Sequence, residues 1–162
     1  EKCGIPSKFL TLVCARTASL AGGVQIVARS VETALHKLHE LQFDLTRIVA
    51  GYGVAPLPPV AKKDITALGR TNDAVLYGAE VTLYVTGDDE SLIDAGSRLP
   101  SSTSRDYGRP FGDTFKDANY DFYKIDPMLF SPALIAINNL DTGRTHTFGQ
   151  VNTQVLCDSF FD

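Results

Sequence analysis

The chain has no run of Lys and Arg, no apolar stretch of membrane-spanning length and only three cysteines in 162 residues. The missing basic cluster, with a formal net charge of -4, excludes a general nucleic-acid binder, which needs clustered cations against phosphate. A local cationic pocket for an acidic small molecule stays open, because 15 Lys and Arg must still be placed. No segment reaches the roughly 20 apolar residues that span a bilayer, and no secretory signal is visible. Cys3, Cys14 and Cys157 fit neither a zinc motif nor a CxxC redox pair, so reduced thiols in a cytosolic protein are expected. The three histidines, His36, His39 and His146, form no ligand pattern, and no metal site is expected. No GxSxG elbow precedes a helix, and Gly51-Tyr52-Gly53 falls short of GxGxxG. The first residues are Glu1-Lys2-Cys3 without Met, which fits a fragment, a processed chain or the ordered part of something longer.

What is present is an ordinary core-forming composition, 44% hydrophobic and 21% charged, enough for one domain or one plus a small appendage. Residues 8–15, KFLTLVCA, suggest a buried strand. Val24, Val27, Val31, Leu35, Leu38 and Leu41 recur at spacings of three and four, predicting one long helix over 24–42 with an apolar stripe. Its opposite side carries Arg29, Glu32, Thr33, His36, Lys37 and Glu40. A strand over 47–54 ends in APLPP, and a short helix over 60–68 should stop at Gly69. Thr71-Asn72-Asp73 then offers caps for another short helix over 74–77. Val81, Leu83 and Val85 alternate with Thr82, Tyr84 and Thr86, the period of a half-buried strand. Asp88-Asp89-Glu90 opens a helix, because acidic residues suit its N-terminus. A long polar loop over 99–112, a helix over 114–118 and strands over 122–124, 133–138 and 144–150 follow, with a tight turn at 140–143. Residues 151–160 are ambiguous between strand and helix. The expected class is α+β, with helices layered on a mixed, mainly antiparallel sheet as a two-layer sandwich.

Four long strings then carry a resemblance. TASLAGGVQIVARSVETALHKLHELQFD (17–44), APLPPVAKKDITALGRTNDAVLYG (55–78), LPSSTSRDYGRPF (99–111) and YDFYKIDPMLFSPA (120–133) together resemble the methenyltetrahydromethanopterin cyclohydrolase family. The resemblance implies hydration of 5,10-methenyl-tetrahydromethanopterin to the 5-formyl form, reversibly, in the one-carbon metabolism of methanogens and methylotrophs. It implies a cytoplasmic homotrimer without metal or redox cofactor, tetrahydromethanopterin being carrier and substrate. The family subunit is roughly twice as long, with the pterin in a cleft between two α/β parts. Residues 1–162 would then be the C-terminal half, and the N-terminal half, which holds a further basic pocket residue, is absent.

The substrate carbon bridges two nitrogens of a delocalised cation, so it is already electron-poor. Hydration needs an aimed water, a base and help for a tetrahedral intermediate, and a carboxylate suits both the base and the cation. Arg29 and Glu32 lie three apart on one helix face, and the family keeps a catalytic Arg and Glu in this ARxxE string. Glu32 is expected to orient and deprotonate the water, with Arg29 holding it. The plain alternative from spacing alone is a solvated pair worth about 0.3–0.5 kcal/mol. His36, one turn on, is expected to be an exposed helix residue.

Arg70, Thr71, Asn72 and Asp73 are candidate substrate-binding residues, since Asn72 or Asp73 matches the donor and acceptor edge of a pterin. The same residues suit a helix cap and a structural turn. Ser101, Ser102, Ser104 and Tyr107 are further candidates in the polar loop, with Tyr107 or Phe111 able to stack on a ring and Arg105 or Arg109 able to meet an acidic tail. A surface loop held by Pro100 and Pro110 is the competing reading. Two other functions stay open: a half-domain that binds pterin without turnover, and a piece that contributes only trimer contacts.

Overall fold

The computed structural model describes residues 4–161. Cys3 lies outside them. The helices are α1 (Leu20–Val27), α2 (Ser30–Glu40), α3 (Asp64–Leu76), α4 (Asp89–Arg98), α5 (Phe111–Asp117) and α6 (Thr153–Phe161). The strands are β1 (Ile48–Val54), β2 (Glu80–Val85), β3 (Leu134–Asn139) and β4 (Thr145–Gly149). They form one sheet in the order β1-β2-β3-β4, with β2 and β3 parallel and both outer pairings antiparallel. The α+β class and the mixed sheet agree with the sequence.

Alternation along β2 and β3 decides which face of the sheet is covered. Val81 pairs with Ile135 and Leu83 with Ile137, and all four side chains are buried on one face. There they meet Ala34 and Leu38 of α2 and Leu92 and Ala95 of α4. The opposite face presents Tyr52 and Tyr84 to solvent. Helix α2 approaches closely because β1 carries Gly51, where a Cβ would stand 2.9 Å from Val31 Cγ1. Trimming one methylene here, Ile137→Val, is expected to cost about 0.5–1.5 kcal/mol. The check is a lower urea midpoint with an unchanged slope. A second core joins α3, α5 and α6 through Leu76, Tyr77, Phe111, Phe115, Leu156 and Phe160.

Five local expectations are corrected. Residues 8–15 are not a strand: a short turn at Ser7–Phe9 leads into irregular chain with Leu10, Leu12 and Val13 exposed. A strand needs a neighbour for its N–H and C=O groups, and none of the described residues supplies one there. The single helix over 24–42 is two helices. Ser19 caps α1 by accepting from Gly22 N at 3.0 Å, and α1 closes with Arg29 N donating to Ile26 O. The apolar period runs across the break and cannot reveal it.

Gly69 does not end a helix; α3 runs through it and through residues 70–73. Its missing side chain lets α3 lie against α5, since a Cβ would be 3.3 Å from Gly112 Cα. Residues 122–124 are a 3-10 turn capped by Asp121, which accepts from Tyr123 N at 3.0 Å. Lys37 is not on a solvated side; it is 1% exposed.

Candidate functional site

The break between α1 and α2 makes the site. Arg29 sits at the break with φ -90° and ψ 10°, and Glu32 falls in the first turn of α2, where the helix dipole favours a negative charge. Arg29 donates from both Nε (3.0 Å) and Nη2 (2.8 Å) to the same oxygen, Glu32 Oε2. The other oxygen, Oε1, has no hydrogen-bond partner among the described residues. Thr33 Oγ1 donates to Arg29 O at 2.9 Å and steadies the restart of the helix. The two charged side chains are about half exposed, 56% and 52%.

Exposure alone would suit a surface ion pair, but Arg29 and Glu32 line a cavity of about 360 Å³. Ile26, Thr33 and His36 share their wall; Leu68, Asn72, Val75 and Leu76 of α3 form the second. Phe122, Pro127 and Phe130 form the third. That wall is stiff, because Phe111 packs against both Phe122 and Phe130 with centroids 5.9 and 5.8 Å away. The cavity therefore sets one carboxylate and one guanidinium against an apolar wall whose two rings, Phe122 and Phe130, are tilted 41° to each other. Asn72 Nδ2 is turned back to Leu68 O at 2.8 Å, so its Oδ1 is the group available to a ligand.

The remaining candidates lie elsewhere. Thr71 is buried, donates to Leu68 O at 3.1 Å and borders a void of about 10 Å³, too small for a ligand. Arg70 and Asp73 border a separate cavity of about 370 Å³ and hold α6. Arg70 Nε donates to Ser159 O at 3.0 Å, and Asp73 accepts from Ser159 Oγ at 2.6 Å and Phe111 N at 2.8 Å. Burial pushes the Asp73 carboxyl up to about 7, against the pull of its two hydrogen bonds.

The polar loop is used internally. Ser101 Oγ donates to Leu76 O, and Ser104 Oγ to Asp126 at 2.7 Å. Tyr107 packs on Tyr77 with centroids 4.9 Å apart, and Ser102 is exposed. None of these four lines the Glu32 cavity. Phe122, Pro127 and Phe130 do, and residue-by-residue chemistry missed them, although they stand in the string over 120–133 that carries the resemblance. His36 is exposed yet sits on the rim. Among the described residues no group of three His, Cys, Asp or Glu is placed to hold a metal. No helix among the described residues is long and apolar enough to cross a membrane.

The sequence pattern of the family described as Cyclohydrolase (MCH) matches residues 1–160. The chain belongs to the methenyltetrahydromethanopterin cyclohydrolase family. It is 52% identical over 162 residues to the methenyltetrahydromethanopterin cyclohydrolase of Rhodopirellula baltica, covering 99% of this chain and 49% of that one. To the proteins of the same name from Xanthobacter autotrophicus and Methanocella arvoryzae it is 49% and 46% identical. Those matches cover 98% and 99% of this chain and 47% and 50% of theirs. The chain thus spans about half the length of these cyclohydrolases.

Proposed function

We propose that this chain supplies the water-activating part of a cyclohydrolase that interconverts 5,10-methenyl- and 5-formyl-tetrahydromethanopterin. The observation that carries the reading is the Glu32 carboxylate, one oxygen clamped twice by Arg29 and the other left open at an apolar-walled cavity. The pterin packs against the Phe122 and Phe130 side of the cavity, and Asn72 Oδ1 accepts from its amino-pyrimidinone edge. Its cationic bridging carbon then faces Glu32. Oε1 receives the proton of a water as the water oxygen bonds to that carbon, and the positive charge is discharged into a neutral tetrahedral adduct. Return of that proton to one ring nitrogen, while the adduct's hydroxyl gives its own proton to the freed Glu32 carboxylate, breaks that C–N bond and leaves the formyl group on the other nitrogen; the proton left on Glu32 then passes to solvent. Arg29 fixes the carboxylate so that the open oxygen keeps its aim.

No metal or redox cofactor takes part in this scheme, since the carbon needs no further electrophilic help. We place the protein in the cytoplasm as a homotrimer, completed by a preceding half that closes the open side of the cavity. Exposed Leu10, Leu12, Val13, Tyr52 and Val54 give such partners apolar surface to cover.

The test is loss of the near-ultraviolet absorbance of methenyl-tetrahydromethanopterin, with the chain alone and with the full-length subunit. Turnover by the full-length protein that Glu32→Gln removes supports the scheme; turnover indifferent to position 32 ends it. Binding without turnover by the chain alone would define it as a half site. Phe122→Ala is expected to weaken pterin binding by about 2- to 12-fold, the worth of one ring contact. Equilibrium titration checks this.

A further inference from the structure

Lys37 is the one buried lysine on the helix that carries Glu32, and the scheme above leaves it unused. Its ammonium donates to three oxygens: Pro100 O at 2.8 Å, Thr103 Oγ1 at 3.0 Å and Met128 O at 2.6 Å. That number matches its three N–H groups. The acceptors belong to two separate segments, the turn at Ser101–Thr103 with its flank and the turn at Pro127–Leu129. Pro127, next to Met128, is part of the apolar wall facing Glu32.

Among the described residues no carboxylate pairs with the ammonium directly. The acidic group acting on it is Asp126, which is itself taken up by Ser104 Oγ at 2.7 Å and Met128 N at 3.1 Å. Around it Arg105 faces Asp106 at 4.0 Å and Arg98 pairs with Asp94 at 2.6 Å. On its own helix His36 and Glu40 are exposed.

We infer that Lys37 is a positioning residue: its ammonium latches the carboxylate-bearing helix to the opposite wall of the cavity and so sets the gap in which the pterin ring sits. The inference rests on the pterin reading for its functional consequence, but the latch itself does not. Burial works against the ammonium and brings its pKa down to about 8, with Asp126 opposing. Above that pH the neutral amine has two N–H groups for three acceptors, so one tie is given up and the wall can shift.

Met128 is the sole methionine, so methyl labelling gives a single NMR signal beside the latch. In the 162-residue chain that signal is expected to move with a midpoint near 8, as the lysine titrates. Lys37→Arg, charged at every accessible pH, is expected to flatten the titration, and Lys37→Leu to flatten it at a displaced position. In the full-length enzyme kcat should fall on the same alkaline limb. Lys37→Leu should lower kcat about 10- to 100-fold at neutral pH, the cost of a misplaced reacting group. Lys37→Arg should recover activity and lose the limb. A merely structural lysine would lower active protein without moving the pH profile.

A Met128 signal that ignores pH, or one that titrates unchanged in Lys37→Leu, overturns the latch. So does a kcat limb that persists in Lys37→Arg. If no variant or wild-type protein turns over the pterin, the functional reading fails, while the Met128 titration still decides the latch.

Discussion

Replacing Glu32 by Gln is expected to reduce pterin hydration by about 100- to 10,000-fold, the range for removing a positioned general base, while leaving the fold intact. The amide keeps the size of the carboxylate and an oxygen for Arg29, but it cannot take a proton from water. Little stability should be lost, because both side chains are half exposed and such pairs contribute about 0–1 kcal/mol. Rate and stability therefore separate: kcat collapses while the urea midpoint stays put. Arg29→Lys should be the milder lesion. A single ammonium cannot reproduce the paired Nε and Nη2 contacts to Oε2, so the carboxylate is retained but less firmly aimed.

The second large effect is on stability and comes from Asp73. Its carboxyl titrates near 7 in the folded chain against an ordinary value of 3.8, because burial penalises the charge. A carboxyl raised on folding lends stability that is fully present below 3.8 and is lost as pH rises to about 7. The gap corresponds to about 4 kcal/mol at most. Wild-type protein should therefore unfold at a clearly higher urea concentration near pH 5 than near pH 8. Asp73→Asn should flatten that difference, since the amide oxygen still accepts from Phe111 N without carrying charge.

The carboxyls that folding lowers act below this window. Asp89 is drawn well below the usual carboxylate range by hydrogen bonds, first from His146 and then Asn139, and Asp64 and Asp88 are lowered too. Carboxyls lowered on folding contribute above 3.8 and lose that contribution as pH falls further. Lys37, lowered to about 8, acts between that pH and 10.5.

Patterns that depend on one element were legible in the sequence. Val81, Leu83 and Val85 alternate because β2 is covered on one face, and the structure buries those three. Asp88 caps α4 by accepting from Ser91 N at 2.8 Å, as the acidic run indicates. Features that depend on what wraps an element were not legible. Lys37 stands on the polar side of α2 by period, but the segments around 100–103 and 128 cover that side and bury it. Thr71-Asn72-Asp73 has the residue types of a cap, yet α5 and α6 pack over α3 and turn Asp73 inward as a tie. The same holds for Ser101, Ser104 and Tyr107, whose polar groups serve the chain itself. Spacing and resemblance together name Arg29 and Glu32 as candidates, and both line one cavity. The break that sets Glu32 at the start of α2, and the aromatic wall opposite, became visible only in three dimensions.

The most direct measurement is a crystal structure of the full-length Glu32→Gln subunit with methenyl-tetrahydromethanopterin bound. The bridging carbon should lie one water molecule from the side chain at position 32, with the ring against Phe122 and Phe130. A ring seated instead beside Arg70, Asp73 and Ser159, out of reach of that side chain, would contradict the assignment of the reaction to this carboxylate.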